Sequence, residues 1–228
     1  MRRSVEADEV SVVRPQGPWR QTIAACGGVV GASLAWLGLH DPLASMTSYS
    51  AALMTLNQIV PPLLLLAVSD ARWQSWHKVR SATGVAAWML DPWVAGTVFT
   101  MVSVAVSLPS VLDQALANAL FSVPLGLLEL IAGLLVWAQL LPATRGHPTD
   151  WKAGLFAIAV GVPMTVVAAV WMMSSHVLYA PYINVICLWN FTPLENQRWA
   201  GFAMFIAGIP LQLRGVWLLL GLSSAEPV

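Results

Sequence analysis

The sequence predicts an all-α protein, a polytopic transmembrane bundle of about six helices with both chain ends on the cytoplasmic side. Three observations lead there. Hydrophobic residues make up 57% of the 228 residues and charged residues only 10%, where a globular chain carries about 25% charged. The apolar residues gather in runs near the ~20 residues that a helix needs to cross a hydrocarbon core of ~30 Å. Ten of the eleven basic residues fall on alternate connections between those runs, the bias that marks the cytoplasmic side. Net charge is zero, which gives no electrostatic case for a nucleic-acid partner; membrane lipids are the expected surroundings.

Residues 1–21 are polar and lack a short apolar core followed by a small-residue cleavage site, so they read as a retained cytoplasmic tail. Residues 22–221 read as one transmembrane domain and 222–228 as a short tail. The spans expected are 22–39, 49–68, 84–108, 115–141, 152–173 and 199–221. The first holds Gly27 and Gly31 at the spacing that lets helices approach closely, within the chain or in a dimer. The third contains Asp91-Pro92; proline suits a first helical turn, so the membrane-buried part should begin near Trp93. Asp113 precedes the fourth and reads as an acid capping its positive N-terminus. Trp73, Trp76, Trp151 and Trp199 fall near expected interfaces. Between spans five and six the apolar stretch 183–189 could turn back at the membrane but is too short to cross it twice.

Orientation follows from the basic residues. Arg2, Arg3, Arg14, Arg20, Arg72, Lys78, Arg80, Arg145, Lys152 and Arg214 share one side, and Arg198 stands alone on the other. The two cysteines, Cys26 in span one and Cys187 in the last long connection, form no evident pair.

Glu129 is the most unusual residue, an acid within LGLLELIAGLL near the middle of span four. A carboxylate there costs at least ~2.5 kcal/mol if ionised and unpaired, so it should face the bundle interior. It reads either as a proton relay or ion ligand, or as a neutral acid bonded to a hydroxyl or amide such as Ser103 or Gln58. The outer face carries scattered soft or imidazole donors: His40, Met46, Met172, Met173, His176 and Cys187, with Asp41 beside them. Copper(I) favours thioether and thiolate ligands and accepts imidazole. Met172 and His176 are spaced i,i+4, which would put both on one helix face, and His40 is the third candidate. His77 and His147 read as solvated in cytoplasmic connections. No Ser/His/Asp set, phosphate-cradling glycine loop or CxxC is present, so an enzyme is not expected.

The later half of the chain also carries a recognisable pattern. Leu178-Tyr179-Ala180-Pro181-Tyr182, then Thr192-Pro193-Leu194-Glu195-Asn196-Gln197-Arg198 and Gly201-Phe202-Ala203-Met204, resemble the C-terminal signature of the CtaG family of caa3-type cytochrome oxidase assembly factors. Pro61-Pro62-Leu63-Leu64-Leu65-Leu66, Pro109 with Asp113 and Ala115-Leu116, and Gly133-Leu134-Leu135-Val136-Trp137 are similar to further elements of that family, in order, over residues 40–215. The resemblance implies a multi-pass protein of the bacterial cytoplasmic membrane that helps a haem–copper oxidase mature, with copper as cargo and oxidase subunits as partners. It implies that Tyr179, Tyr182, Pro193, Asn196 and Gln197 belong to a functional or loop-shaping motif.

The departures are as informative. The family's histidines before the proline-leucine segment fall on Tyr49 and Leu53, its Trp-His pair on Val106-Ser107, two further histidines on Ser122 and Gly126, and an aspartate on Asn196. None of these side chains replaces imidazole as a metal ligand. Three functions are therefore expected from different classes: an oxidase assembly factor, a metal-free accessory subunit of a membrane complex, and a small transporter or proton conduit through Glu129. Oligomeric state is not legible.

Overall fold

A computed structural model describes residues 18–69, 72–73, 84–117, 119–141, 149–183 and 191–221. Among the described residues eight helices run in order: α1 (Pro18–His40), α2 (Met46–Leu66), α3 (Val85–Met89), α4 (Pro92–Val106), α5 (Pro109–Ala117), α6 (Ala119–Leu140), α7 (Asp150–Met173) and α8 (Pro193–Leu219). A 3-10 turn, Ala180–Tyr182, lies between α7 and α8. No strand occurs among the described residues. Helices α1, α2, α6, α7 and α8 are long and apolar enough to cross a membrane, and α4 is a shorter apolar helix of 15 residues. At 1.5 Å per residue α4 rises about 22 Å, less than a full hydrocarbon core. About six spans therefore stand as expected from the sequence.

Helix α2 is not uniform. Thr55–Ile59 forms a π-helical turn, in which the Val60 N–H reaches back five residues to the Thr55 carbonyl. Pro61 and Pro62 explain the site. Neither has an N–H, so neither the α partner (i+4) nor the π partner (i+5) of the Asn57 carbonyl can donate to it. Helix α6 fills that gap by approaching closely at Gly133, where an added Cβ would stand 2.2 Å from the Asn57 carbonyl oxygen.

Helices α7 and α8 form the most extensive pair. Small residues allow it: a Cβ at Gly154 would lie 2.8 Å from the Gly215 carbonyl, and one at Gly201 2.8 Å from that of Ala168. Helix α8 also packs on α2, α4 on α6, and α1 on α2. The Gly27–Gly31 face belongs to that last contact; a Cβ on Gly28 would stand 2.9 Å from Leu64. Close approach is thus used within the chain.

Cross-helix bonds define two ends. At the loop end, residues 41–47, 107–113, 174–183 and 192–198 meet. At the basic end, the Gln139 side chain donates to the Leu90 carbonyl and Arg214 to that of Leu140. Arg20, Lys152 and Arg214 there lie over the rings of Trp19, Trp151 and Trp217. Trp151 and Trp199 are exposed, whereas Trp73 is buried.

Two local expectations change. Span three divides into α3 and α4, with Asp91 capping α4 through the Trp93 and Val94 amides at 2.9 and 3.3 Å and Pro92 in its first turn. This matches the expected start near Trp93. Asp113, expected as the N-terminal cap of span four, lies instead within the separate short helix α5 and is reached by the backbone N–H of Ala180. The chain spends Pro109–Ala117 on its own helix before α6 begins, which removes Asp113 from any capping position. Most of the 1–21 tail, the 222–228 tail, Trp76, His77, His147, Cys187 and most of 183–189 lie outside the described residues.

Candidate functional site

Two polar constellations stand out against the apolar bundle. The first lies inside it. Glu129 of α6 is 1% exposed, and one oxygen of its carboxylate accepts hydrogen bonds from the Asn57 side-chain amide of α2 and from the Ser103 hydroxyl of α4, the latter at 3.2 Å. The Asn57 amide also lies 3.4 Å from the Ser103 oxygen and 3.5 Å from the Glu129 carbonyl. Gln58 donates at 2.7 Å to the Asn57 side-chain carbonyl. Three helices are thereby joined at one level. Among the described residues hydrogen bonds, and no countercharge, hold the acid. Of the partners expected from the sequence, Ser103 touches Glu129; Gln58 acts one step removed, through Asn57.

Beside this cluster lies a void of about 10 Å³, room for one water at most. Its wall includes Tyr49, Leu53, Met54, Val106, Ser107 and Glu129, with Trp171 and Met204 opposite. The Tyr49 hydroxyl and the Gln58 side-chain carbonyl are buried without a hydrogen-bond partner among the described residues. Four positions that correspond to the family's histidine-bearing segments, Tyr49, Leu53, Val106 and Ser107, therefore converge on one wall. The other two do not offer space. The Ser122 hydroxyl donates to the Leu39 carbonyl at 3.0 Å, and a Cβ at Gly126 would meet the Leu39 side chain at 2.3 Å and Leu56 at 3.2 Å.

The second constellation is a clamp at the loop end, built from the C-terminal motif. Asn196, fully buried, accepts on its side-chain oxygen from the Ser45 hydroxyl (3.1 Å), the Thr47 amide (3.1 Å) and the Thr47 hydroxyl (2.7 Å). This ties the start of α8 to the start of α2. Gln197 accepts from the Leu178 amide at 2.7 Å and donates to the carbonyls of Trp171 and His176, both at 3.4 Å. Tyr179 donates to the Ser107 carbonyl at 2.6 Å and meets Trp171 edge-on with ring centroids 5.1 Å apart. Tyr182 donates to the Pro42 carbonyl. Pro193 opens α8 behind a capping box of Thr192 and Glu195. Burial pushes the Tyr179 hydroxyl above its ordinary range, so it stays protonated and a donor. Burial also raises the carboxyl of Asp113, opposed by the bond from Ala180. The motif's side chains tie the loop end together, and both tyrosines are only 1% exposed.

The expected metal candidates sit at the same end. His40 closes α1 and is exposed, as are Met172 and His176. Helix α7 ends at Met173 with Ser174 in extended conformation, so the i,i+4 helical relation of Met172 to His176 lapses: the chain has left the helix before His176. That histidine's backbone, not its ring, serves the clamp, with its carbonyl accepting from Ser174 and Gln197. Among the described residues no three His, Cys, Asp or Glu side chains gather as a metal-binding group.

A buried polar junction between helices, closed at one end by a side-chain-to-backbone clamp, defines an integral membrane helical bundle whose specialised residues organise the fold and one face. The class can be made narrower. The family described as cytochrome c oxidase caa3 assembly factor (Caa3_CtaG) matches residues 7–224, and the chain belongs to it. No match was found among curated proteins or among solved structures.

Proposed function

We propose that this protein is a haem–copper oxidase assembly factor of the bacterial cytoplasmic membrane, with both chain ends cytoplasmic. On this reading it aids oxidase maturation without catalysing a reaction and without a copper centre in its core. The family match carries the assembly role, and the donor chemistry of the internal wall carries the metal-free core. Where the resemblance implies imidazoles, this wall has a phenol, a leucine and a serine, with Val106 in the place of a tryptophan, and the Glu129 carboxylate beside them is already engaged by Asn57 and Ser103. That set does not fit an imidazole copper site. The paired cations and tryptophans at the basic end support the cytoplasmic placement of that end.

A second reading has copper as cargo at the loop end, handled by His40, Met172 and His176. Their shared exposure at that end favours it. Copper content of the detergent-purified protein, after loading and washing, separates the two. Little retained copper, together with a lowered oxidase level in a deletion strain, is the expected result. Near-stoichiometric copper that disappears in His176→Ala favours loop-end delivery. Copper that disappears in Met54→Leu, a thioether on the internal wall, overturns the metal-free core. Stoichiometric co-purification with the finished oxidase would make the protein an accessory subunit, and altered ion flux in Glu129→Gln with normal oxidase would make it a conduit.

A further inference from the structure

Residues of α2, α5, α6, α7 and α8 wall the void of about 10 Å³ beside Glu129, with Ser107 at the end of α4. Its polar members are incompletely bonded. Both bonds to the acid, from Asn57 and from Ser103, fall on the same carboxyl oxygen, and the other oxygen has no partner among the described residues. Tyr49 and Ser50 of α2 stand on the same wall, 1% and 3% exposed. Neither hydroxyl has a hydrogen-bond partner among the described residues. Buried polar groups left unpaired are costly, and an internal water is the usual remedy. A wholly apolar cavity stays dry, whereas one of this volume with several unpaired polar groups suits a single water.

We infer that the void is the binding site of one ordered water, bonded to the free oxygen of Glu129 and to the hydroxyls of Tyr49 and Ser50. Donors and acceptors balance. With no countercharge among the described residues, the acid is held neutral, because hydrocarbon penalises the charged form. The oxygen that receives Asn57 and Ser103 is then the carbonyl oxygen, so the proton sits on the other. The water accepts from that acid O–H and from the Tyr49 phenol, and donates to the Ser50 oxygen. It joins α2 to α6 a second time, beside the bond from Asn57 to Glu129. Ser107 brings the loop end to the same wall: its carbonyl accepts from Tyr179, and its hydroxyl donates to the Ser103 carbonyl at 2.8 Å. The buried acid and the clamp therefore meet across one water-sized site. The site stands whether or not an oxidase is the client.

The test is X-ray radiolytic labelling of the full-length protein, purified in detergent and washed with chelator. Ionisation of a bound water releases a hydroxyl radical beside the side chains around it. Met54 and Met204, 5% and 4% exposed, line the void, whereas Met164 is as buried at 6% but lies off it. Oxidation of Met54 and Met204 well above that of Met164 supports the site, and equal rates overturn it. Tyr49→Phe removes one bond to the water and should lower the two rates about two- to ten-fold, the weight of one neutral hydrogen bond. Rates indifferent to Tyr49→Phe overturn the assignment of that hydroxyl. Infrared spectra of the wild type give a second measurement, independent of whether that variant accumulates. A carboxylic-acid carbonyl band that vanishes in Glu129→Gln supports the proton on the free oxygen, and its absence overturns it. Copper retained through the chelator wash and lost in Met54→Leu also overturns the site, since the ion would take the water's place.

Discussion

Gly133→Ala is the substitution on which the internal architecture can be judged. The new methyl would stand 2.2 Å from the Asn57 carbonyl oxygen, 2.7 Å from the Pro61 ring and 3.0 Å from the Asn57 carbonyl carbon. Two of these are backbone atoms, and the ring belongs to a proline, so no flexible side chain can swing aside. An ordinary carbon–oxygen contact lies beyond 3 Å, so α6 must move away from α2 by about 1 Å. Overpacking of this kind costs about 1–3 kcal/mol. The same movement pulls on Glu129, one helical turn from Gly133, whose carboxyl bonds the Asn57 side chain; weakening that bond adds about 0.5–1.5 kcal/mol. The expected loss is therefore about 1.5–4.5 kcal/mol. It would be read from thermal unfolding in detergent, with the apparent midpoint followed by size-exclusion recovery. Gly208→Ala is the control, since its Cβ meets nothing within 4 Å and alanine is the better helix former by up to ~1 kcal/mol. If Gly133→Ala unfolds with the wild type, α6 does not rest on the proline-freed carbonyl and the packing argument is wrong.

Other expectations use the same assay or simple variants of it. Glu129→Gln keeps an acceptor for Asn57 and Ser103 and should cost little, while Glu129→Leu takes the buried acceptor from the Ser103 hydroxyl and leaves Asn57 only its longer contacts to Ser103 and the 129 carbonyl, at a cost of about 1–3 kcal/mol; equal midpoints for the two variants would count against the network. Asn196→Leu strands the Thr47 amide and should loosen the loop end, seen as faster proteolysis there. Tyr182→Phe orphans the Pro42 carbonyl and should destabilise by about 1–3 kcal/mol; an unchanged midpoint would mean the clamp bears no load.

Much of the architecture is legible in the residues, for reasons that are local. Asp91-Pro92 announces the start of α4 because a cap and a first-turn proline act within four residues. Glu129 announces an interior position because hydrocarbon penalises a carboxylate wherever the helix faces. Asn57 is the residue that the sequence reading misses, although an asparagine inside an apolar span is the same kind of signal. Gln58 stands in its place among the expected partners, and the reason is the π turn. One extra residue in a turn rotates the succeeding stretch of helix by about 100° relative to a regular one, enough to exchange neighbours at the junction. The capping role expected of Asp113 fails because nothing in its neighbourhood says that Pro109–Ala117 closes as a separate helix before α6.

By itself the sequence determined the all-helical membrane architecture, the bias of basic residues to one end, the family and the exceptional character of Glu129. These depend on hydropathy, charge and short-range spacing, which act along the chain. Only the tertiary structure decided that Asn57 and Ser103 hold the acid, and that Tyr49, Leu53, Val106 and Ser107 share one wall. It alone turned the C-terminal motif into a clamp on α2. Those relations join residues far apart in sequence. They depend on the rotation and register of each helix against its neighbours, which close contacts at Gly133, Gly154 and Gly201 fix.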